Sequence, residues 1–177
     1  MKKKIDKISI TGYIEGYYGK LLSWGNRELI IKSLHKNKMN TYFYAPKEDI
    51  NHRLCWKKEY NEKWRSSFRQ FTNMCKKFSI NVIAGIAPGL DYNFKQLTEN
   101  VKTSQDSDFE FLFKKANQLL DDGANSIALL LDDIPANFKK KFGTKISEGI
   151  YHGLLANKLK KKLDQNIFFV PRIYADE

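Results

Sequence analysis

Two adjacent carboxylates, Asp132 and Asp133, directly follow the apolar run Ile127-Ala128-Leu129-Leu130-Leu131. A carboxylate buried without a partner is costly, so a pair at the end of such a run needs a physical reason. Two close carboxylates do not ionise independently. Their titrations couple, and one proton is held towards neutral pH. The result is an acid beside a base or hydrogen-bond acceptor, as glycosidic cleavage requires. Successive side chains on a strand point to opposite faces. For both acids to serve one pocket, the backbone must therefore leave strand geometry here. The competing reading is an N-cap followed by a solvated loop aspartate, and the motif alone divides evenly between the two.

Other strand-end motifs carry weaker signals. Glu15-Gly16-Tyr17-Tyr18-Gly19 offers two glycines for close backbone approach to a ligand and tyrosines to border a sugar ring. Taken alone, a plain turn with aromatic packing is the preferred reading. Tyr42-Phe43-Tyr44-Ala45-Pro46-Lys47-Glu48-Asp49 places a lysine just past a proline, where its ammonium can donate to sugar hydroxyls. Taken alone, a solvated Lys47 paired with Glu48 or Asp49 is the simpler reading. His52-Arg53 and Trp56 either rim the cleft or close the loop. Asp91, after the Pro88-Gly89 turn signal, is expected to order its loop and is assigned no chemistry. There is no Gly-x-Ser-x-Gly elbow and no P-loop, so Ser/His/Asp hydrolysis and P-loop phosphoryl transfer are poorly supported.

These motifs need elements to position them. Apolar and aromatic runs predict strands over Ile8 to Ile14, Met39 to Tyr44, Ile80 to Ile86, Ser126 to Leu131 and Ile167 to Val170. Several are apolar on both faces, which marks strands covered from both sides in a parallel sheet. Helical periodicity lies between them. Leu29, Ile30 and Leu34 follow a cap region at Ser23/Asn26, and Trp64, Phe68, Phe71, Met74, Cys75 and Phe78 mark a second helix. A third runs through Phe109, Leu112, Phe113, Ala116, Leu119 and Leu120 to Gly123. A fourth, opened by Ser147, carries Ile150, Leu154, Leu155 and Leu159. Strand and helix thus alternate, which predicts right-handed βα crossovers and an α/β fold.

A (β/α)₈ barrel and an open doubly wound sheet compete. Gly12, Gly16 and Gly19 do not match the dinucleotide-binding spacing, so the barrel is favoured. Only five strands are visible, whereas a complete barrel has eight and typically about 250 residues. The expectation is therefore a (β/α) barrel of TIM type truncated to about five βα units, with residues 1–177 as one domain.

The formal net charge of +11 invites a nucleic-acid or polyanion reading. The excess is mostly lysine spread along the chain, without an Arg-rich stripe or RNP motif, so solvated lysine faces are preferred and no nucleic-acid partner is expected. Cys55 and Cys75 form no CxxC or Cys/His cluster, which argues against structural zinc and for a reducing compartment. Without an apolar signal-peptide core or a spanning run, the expectation is a cytoplasmic protein with no membrane partner.

In combination and order, Gly12 to Gly19, Asn40 to Asp49, Ala87 to Asp91 and Ala128 to Ile134 resemble the family 84 glycoside hydrolases. These are the O-GlcNAcases and related bacterial β-N-acetylglucosaminidases, some long labelled hyaluronidases. The likeness runs through essentially the whole chain and implies the N-terminal portion of a (β/α)₈ glycosidase barrel. It also implies removal of terminal β-linked N-acetylglucosamine with retention of configuration, by substrate assistance. The substrate's acetamido oxygen attacks the anomeric carbon and gives an oxazoline. Matched by position, Asp132 would orient the acetamido N–H and stabilise the oxazolinium charge. Asp133 would protonate the leaving oxygen and then act as base on water. Gly16 (backbone) and Lys47 would contact the sugar, and Tyr174 would line the acetamido pocket. No metal or cofactor is implied.

There are departures from the family pattern. Tyr17 stands where the family usually has Phe, and Leu21-Leu22-Ser23-Trp24 replaces a Pro-Trp. Pro171-Arg172-Ile173-Tyr174 replaces Pro-Thr-Glu-Tyr, so the Glu position does not match. The family's hydroxyl ligands come from later strands than those seen here. The expected partners are therefore an N-acetylglucosamine-containing glycan or glycoprotein and a second chain completing the barrel. The alternative is a catalytically inactive remnant or an N-acetylglucosamine-binding protein.

Overall fold

A computed structural model describes residues 9–97, 107–143 and 145–173. Five strands form one sheet: β1 (Gly12–Glu15), β2 (Thr41–Tyr44), β3 (Asn81–Ile86), β4 (Ser126–Leu130) and β5 (Phe168–Val170). Their spatial order is their chain order, and every neighbouring pair is parallel. A doubly wound sheet would reverse order at a switch point. This sheet never does, so it is an arc of a (β/α) barrel.

The helices α1 (Trp24–Lys36), α2 (Glu62–Lys77), α3 (Asp108–Asp121), α4 (Phe138–Phe142) and α5 (Glu148–Leu163) connect the strands. Four begin at a side-chain cap. Ser23, Asn61, Ser107 and Ser147 accept hydrogen bonds from the backbone N–H three residues on, satisfying donors that a helix start leaves unpaired. Helix α4 was not anticipated. Its five residues, Phe138-Lys139-Lys140-Lys141-Phe142, are too few to show a helical period, and Phe138 and Phe142 pack on Phe94 from the 3₁₀ turn Phe94–Leu97.

Strand alternation divides the core in two. Tyr42, Tyr44, Val82, Ala84, Ile86, Ile127, Leu129 and Leu131 face outwards into the main core with the helices. Ala45, Ile83, Ala87, Ala128 and Leu130 face the concave side, with Phe43, Phe168 and Val170 packed against them. Strand β1 is shorter and later than the sequence suggested, because it is paired only over Gly12–Glu15. At Gly12 a Cβ would lie 1.8 Å from the Thr41 carbonyl oxygen, so only glycine lets β1 close onto β2 there. No helix among the described residues is long and apolar enough to cross a membrane.

Candidate active site

The side chains singled out by their spacing meet at the C-terminal ends of the strands. Phe43, Ala45 and Lys47 share one parity, which carries the lysine onto the concave face beyond β2. Its Nζ lies 2.8 Å from Asp132 Oδ2 and 2.9 Å from Asp133 Oδ2. The lysine side chain is 3% exposed, so the solvated pairing with Glu48 or Asp49 does not occur. Asp132 continues the parity of Ala128 and Leu130 and points inwards. Asp133 would point away if the strand ran on, but its φ of 51° turns the chain into the left-handed region, and its carboxylate reaches the same ammonium. Aspartate is among the few L residues that tolerate this conformation as single residues.

Gly16, Lys47 and Asp132 line one cavity of about 240 Å³, with Ile14, Phe43, Ala45, Leu130 and Val170 as its apolar walls. Asp132 Oδ2 is taken by the lysine, whereas Oδ1 is buried and accepts no hydrogen bond from the described residues. A buried acceptor left open in this way is ready for a donor on a ligand. A larger cavity of about 380 Å³ on the concave side of the strands is lined by Ile10, Gly12, Tyr13, Ile14, Thr41, Phe43, Ile83 and Phe168, and no ionised carboxylate or ammonium faces it. Of the two, only the strand-end cavity offers groups for acid–base chemistry.

The electrostatics correct one expectation. Coupled carboxylates were expected to retain a proton between them. The Lys47 ammonium lies against both, and its hydrogen bond, opposed by burial, holds the Asp133 carboxyl below the usual carboxylate range. Burial alone would lower the Lys47 ammonium, but its hydrogen bonds to Asp132 and Asp133 outweigh that and raise it. Asp133 is therefore ionised beside the Lys47 ammonium.

Beneath the triad lies His52, from the same loop as Lys47. Its Nδ1 is 2.9 Å from the Gly85 carbonyl oxygen, which can only accept, so Nδ1 carries the proton and Nε2 is a buried, open acceptor. Burial pushes this imidazole down to about 4. Gly85 makes room for it, since a Cβ there would come within 3.1 Å of His52 Cε1. Arg53 turns the other way and donates from Nη2 to the Asp133 main-chain carbonyl at 2.8 Å. Trp56 Nε1 donates to Asp91, which gives Asp91 the loop-ordering role expected of it.

Sequence reasoning missed Glu15, which it placed in a loop. Glu15 ends β1 on the outward face, almost fully buried, and receives Arg27 Nε at 2.9 Å and Nη2 at 2.7 Å. Tyr42 Oη donates to it at 2.7 Å, and the Arg27 guanidinium lies over the rings of Trp24 and Tyr44. This network anchors the residue immediately before Gly16. A charged residue of outward parity next to a glycine was the available signal. Tyr174 lies outside the described residues.

The family model for β-N-acetylglucosaminidase matches residues 11–177. The chain belongs to the β-N-acetylglucosaminidase family. Protein O-GlcNAcase of Rattus norvegicus and that of Mus musculus are each 32% identical to it over 128 residues, covering 72% of this chain and 13% of theirs. Among solved structures, a mutant of Thermobaculum terrenum O-GlcNAc hydrolase superposes with a TM-score of 0.80 at 24% identity. That match covers 95% of this chain and 36% of the other, and at this identity it speaks for the fold alone. CpGH84B superposes with a TM-score of 0.64 at 31% identity, over 80% of this chain and 26% of its own. This member of the β-N-acetylglucosaminidase family thus spans a minor part of the length of each of these relatives.

Proposed function

We propose that this chain hydrolyses terminal β-linked N-acetylglucosamine by a substrate-assisted, retaining reaction, with Asp133 as acid/base and Asp132 as partner of the acetamido group. The observation that carries the reading is the single buried ammonium of Lys47 in contact with both carboxylates, beside a cavity into which Asp132 Oδ1 presents an open acceptor. An acetamido N–H is a donor of the kind that Oδ1 lacks. Held there, the acetamido oxygen attacks the anomeric carbon as the glycosidic bond breaks, and the oxazolinium charge that forms sits against the Asp132 carboxylate.

The leaving oxygen takes its proton from Asp133. That requires Asp133 to be protonated with sugar bound, although Lys47 holds it ionised without one. A sugar hydroxyl that accepts from Lys47 Nζ draws that hydrogen bond away from Asp133, and the sugar ring excludes water from the carboxyl. Both changes raise its affinity for a proton. Water then attacks the oxazoline, gives its proton to the Asp133 carboxylate, and restores the acetamide. Gly16 and Lys47 contact the sugar.

The same Lys47–Asp133 contact favours a second reading, binding of N-acetylglucosamine without turnover, if the ammonium keeps its hold on Asp133. Turnover of an aryl N-acetyl-β-glucosaminide by the 177-residue chain separates the two. Activity that falls at least about a hundredfold in Asp133→Ala supports hydrolysis. Saturable sugar binding without product release supports the binding reading. Equal activity in wild type, Asp132→Ala and Asp133→Ala rejects the assignment of both acids.

A further inference from the structure

The loop after β2 carries a second cation with no part in the reaction above. Arg53 Nη2 holds the main-chain carbonyl of Asp133 at 2.8 Å, and its guanidinium carbon lies 5.9 Å from the centre of the Tyr18 ring. Tyr18 comes from the β1 exit, and its hydroxyl steadies the ionised Asp133 carboxylate. Three strand exits, those of β1, β2 and β4, therefore converge on one residue.

That residue holds one of the four left-handed non-glycine backbones among the described residues. Asp133 sits at φ 51°, a conformation that L residues adopt against a steric preference. Its neighbour Ile134 is pinned by packing, because its side chain fills the space a Cβ on Gly89 would occupy, with Cγ2 2.7 Å from that point. The carbonyl of Asp133 itself is held by Arg53. A guanidinium suits this place, since its planar fork can donate to a carbonyl while its face lies on an aromatic ring, which an ammonium does less well.

We propose that Arg53, braced by Tyr18, is a positioning residue that fixes the left-handed turn at Asp133 and so aims its carboxylate at the leaving-group oxygen. The proposal rests on the reading of Asp133 as acid/base. Arg53 acts through Asp133 and not on the sugar.

The test compares the full chain as wild type, Arg53→Met and Arg53→Lys on two aryl N-acetyl-β-glucosaminides. One bears an acidic phenol such as 2,4-dinitrophenol, which leaves with little protonation. The other bears phenol itself, which needs the proton. A misdirected acid is expected to lower kcat on the phenyl substrate about tenfold to a hundredfold. KM should move by less than about threefold, and the dinitrophenyl substrate should lose little. Arg53→Lys should recover part of the loss. Equal losses on both substrates, or a loss confined to KM, overturn the proposal.

A second measurement needs no turnover. In a ¹H–¹⁵N spectrum Arg53→Met and Arg53→Lys should move the Asp133 and Ile134 amide resonances while those of the β2–β3 pairing stay in place. Unmoved Asp133 and Ile134 amides reject the proposal whether or not the chain is active. A wild type that turns over neither substrate while those amides do move sinks the acid/base reading and leaves Arg53 as a prop for the turn alone.

Discussion

Lys47 Nζ and the Asp133 carboxylate are 2.9 Å apart, so the proposed sugar-binding cation and the proposed acid restrain each other. Replacing Lys47 by Met keeps the stem and removes the charge. Asp132 and Asp133 then face each other without a shared counter-ion, and the Asp133 titration should move upwards. In wild type its depressed carboxyl contributes stability that is present above the unfolded value and lost as pH falls through the folded one. In Lys47→Met that acid-side loss should shrink, because the folded value moves towards the unfolded one. At neutral pH the variant should be about 1–3 kcal/mol less stable, since a buried partner is gone. Carboxyl ¹³C titration and urea unfolding across pH 3–7 check both points. An Asp133 midpoint that does not move contradicts the arrangement.

The two acids should fail in different ways. Asp133→Asn removes the exchangeable proton but keeps the shape, so sugar binding should persist while turnover falls roughly 10²–10⁴-fold. Asp132→Asn puts an amide where an open acceptor now stands. Affinity for N-acetylglucosamine should weaken about tenfold or more, with binding of glucose, which lacks the acetamide, little changed. Calorimetric titration with both sugars decides. A loss of the same size for both sugars removes the acetamido role from Asp132.

Behind the site, Glu15 and Arg27 bury opposite charges at 2.7 Å with side chains only 2% exposed. Glu15→Gln keeps the hydrogen-bonding shape and leaves the guanidinium uncompensated. Such losses cost about 3–5 kcal/mol, so the urea midpoint should drop sharply. Arg27→Met with Glu15→Leu, which removes both charges, should recover much of that loss. If the double variant is no better than Glu15→Gln alone, the pair is not acting through charge.

His52 gives the protein an acid-side sensitivity of its own. Burial holds its imidazole down to about 4, against about 6.5 in an unfolded chain. Between those values the unfolded state binds more protons, so stability rises with pH across pH 4–6.5 and falls on acidification. His52→Asn keeps a donor for the Gly85 carbonyl and does not titrate. The difference in stability between wild type and variant should therefore change through pH 6.5–4 and be constant above about pH 7. A parallel pair of stability curves rejects a buried neutral His52.

Much of this was legible before any coordinates. The strands, four of the helices and the choice of barrel follow from apolar runs, helical periodicity and the absence of a phosphate-binding glycine pattern. The need for a broken strand at Asp132-Asp133 follows from alternation alone, and the left-handed Asp133 is that break. Lys47 was harder. A lysine after a proline reads as solvated, and only the parity of Phe43-Ala45-Lys47, once β2 is bounded, sends it inwards. The parity of Glu15 was a signal, but its pairing with Arg27 was out of reach, because nothing in their separation shows that α1 returns an arginine onto the end of β1. The lowered Asp133 carboxyl was not foreseen because a carboxylate pair was considered without the cation that only the folded sheet brings to it.

The alternation along β2 and its exit also sets a limit on how this sequence can vary. Tyr44 faces the helices and Ala45 the concave side, so the destination of Lys47 depends on an odd–even count and not merely on distance along the chain. Deleting or inserting one residue within β2, where the strands are paired, would exchange its two faces and turn the exit that carries Lys47 away from the cavity.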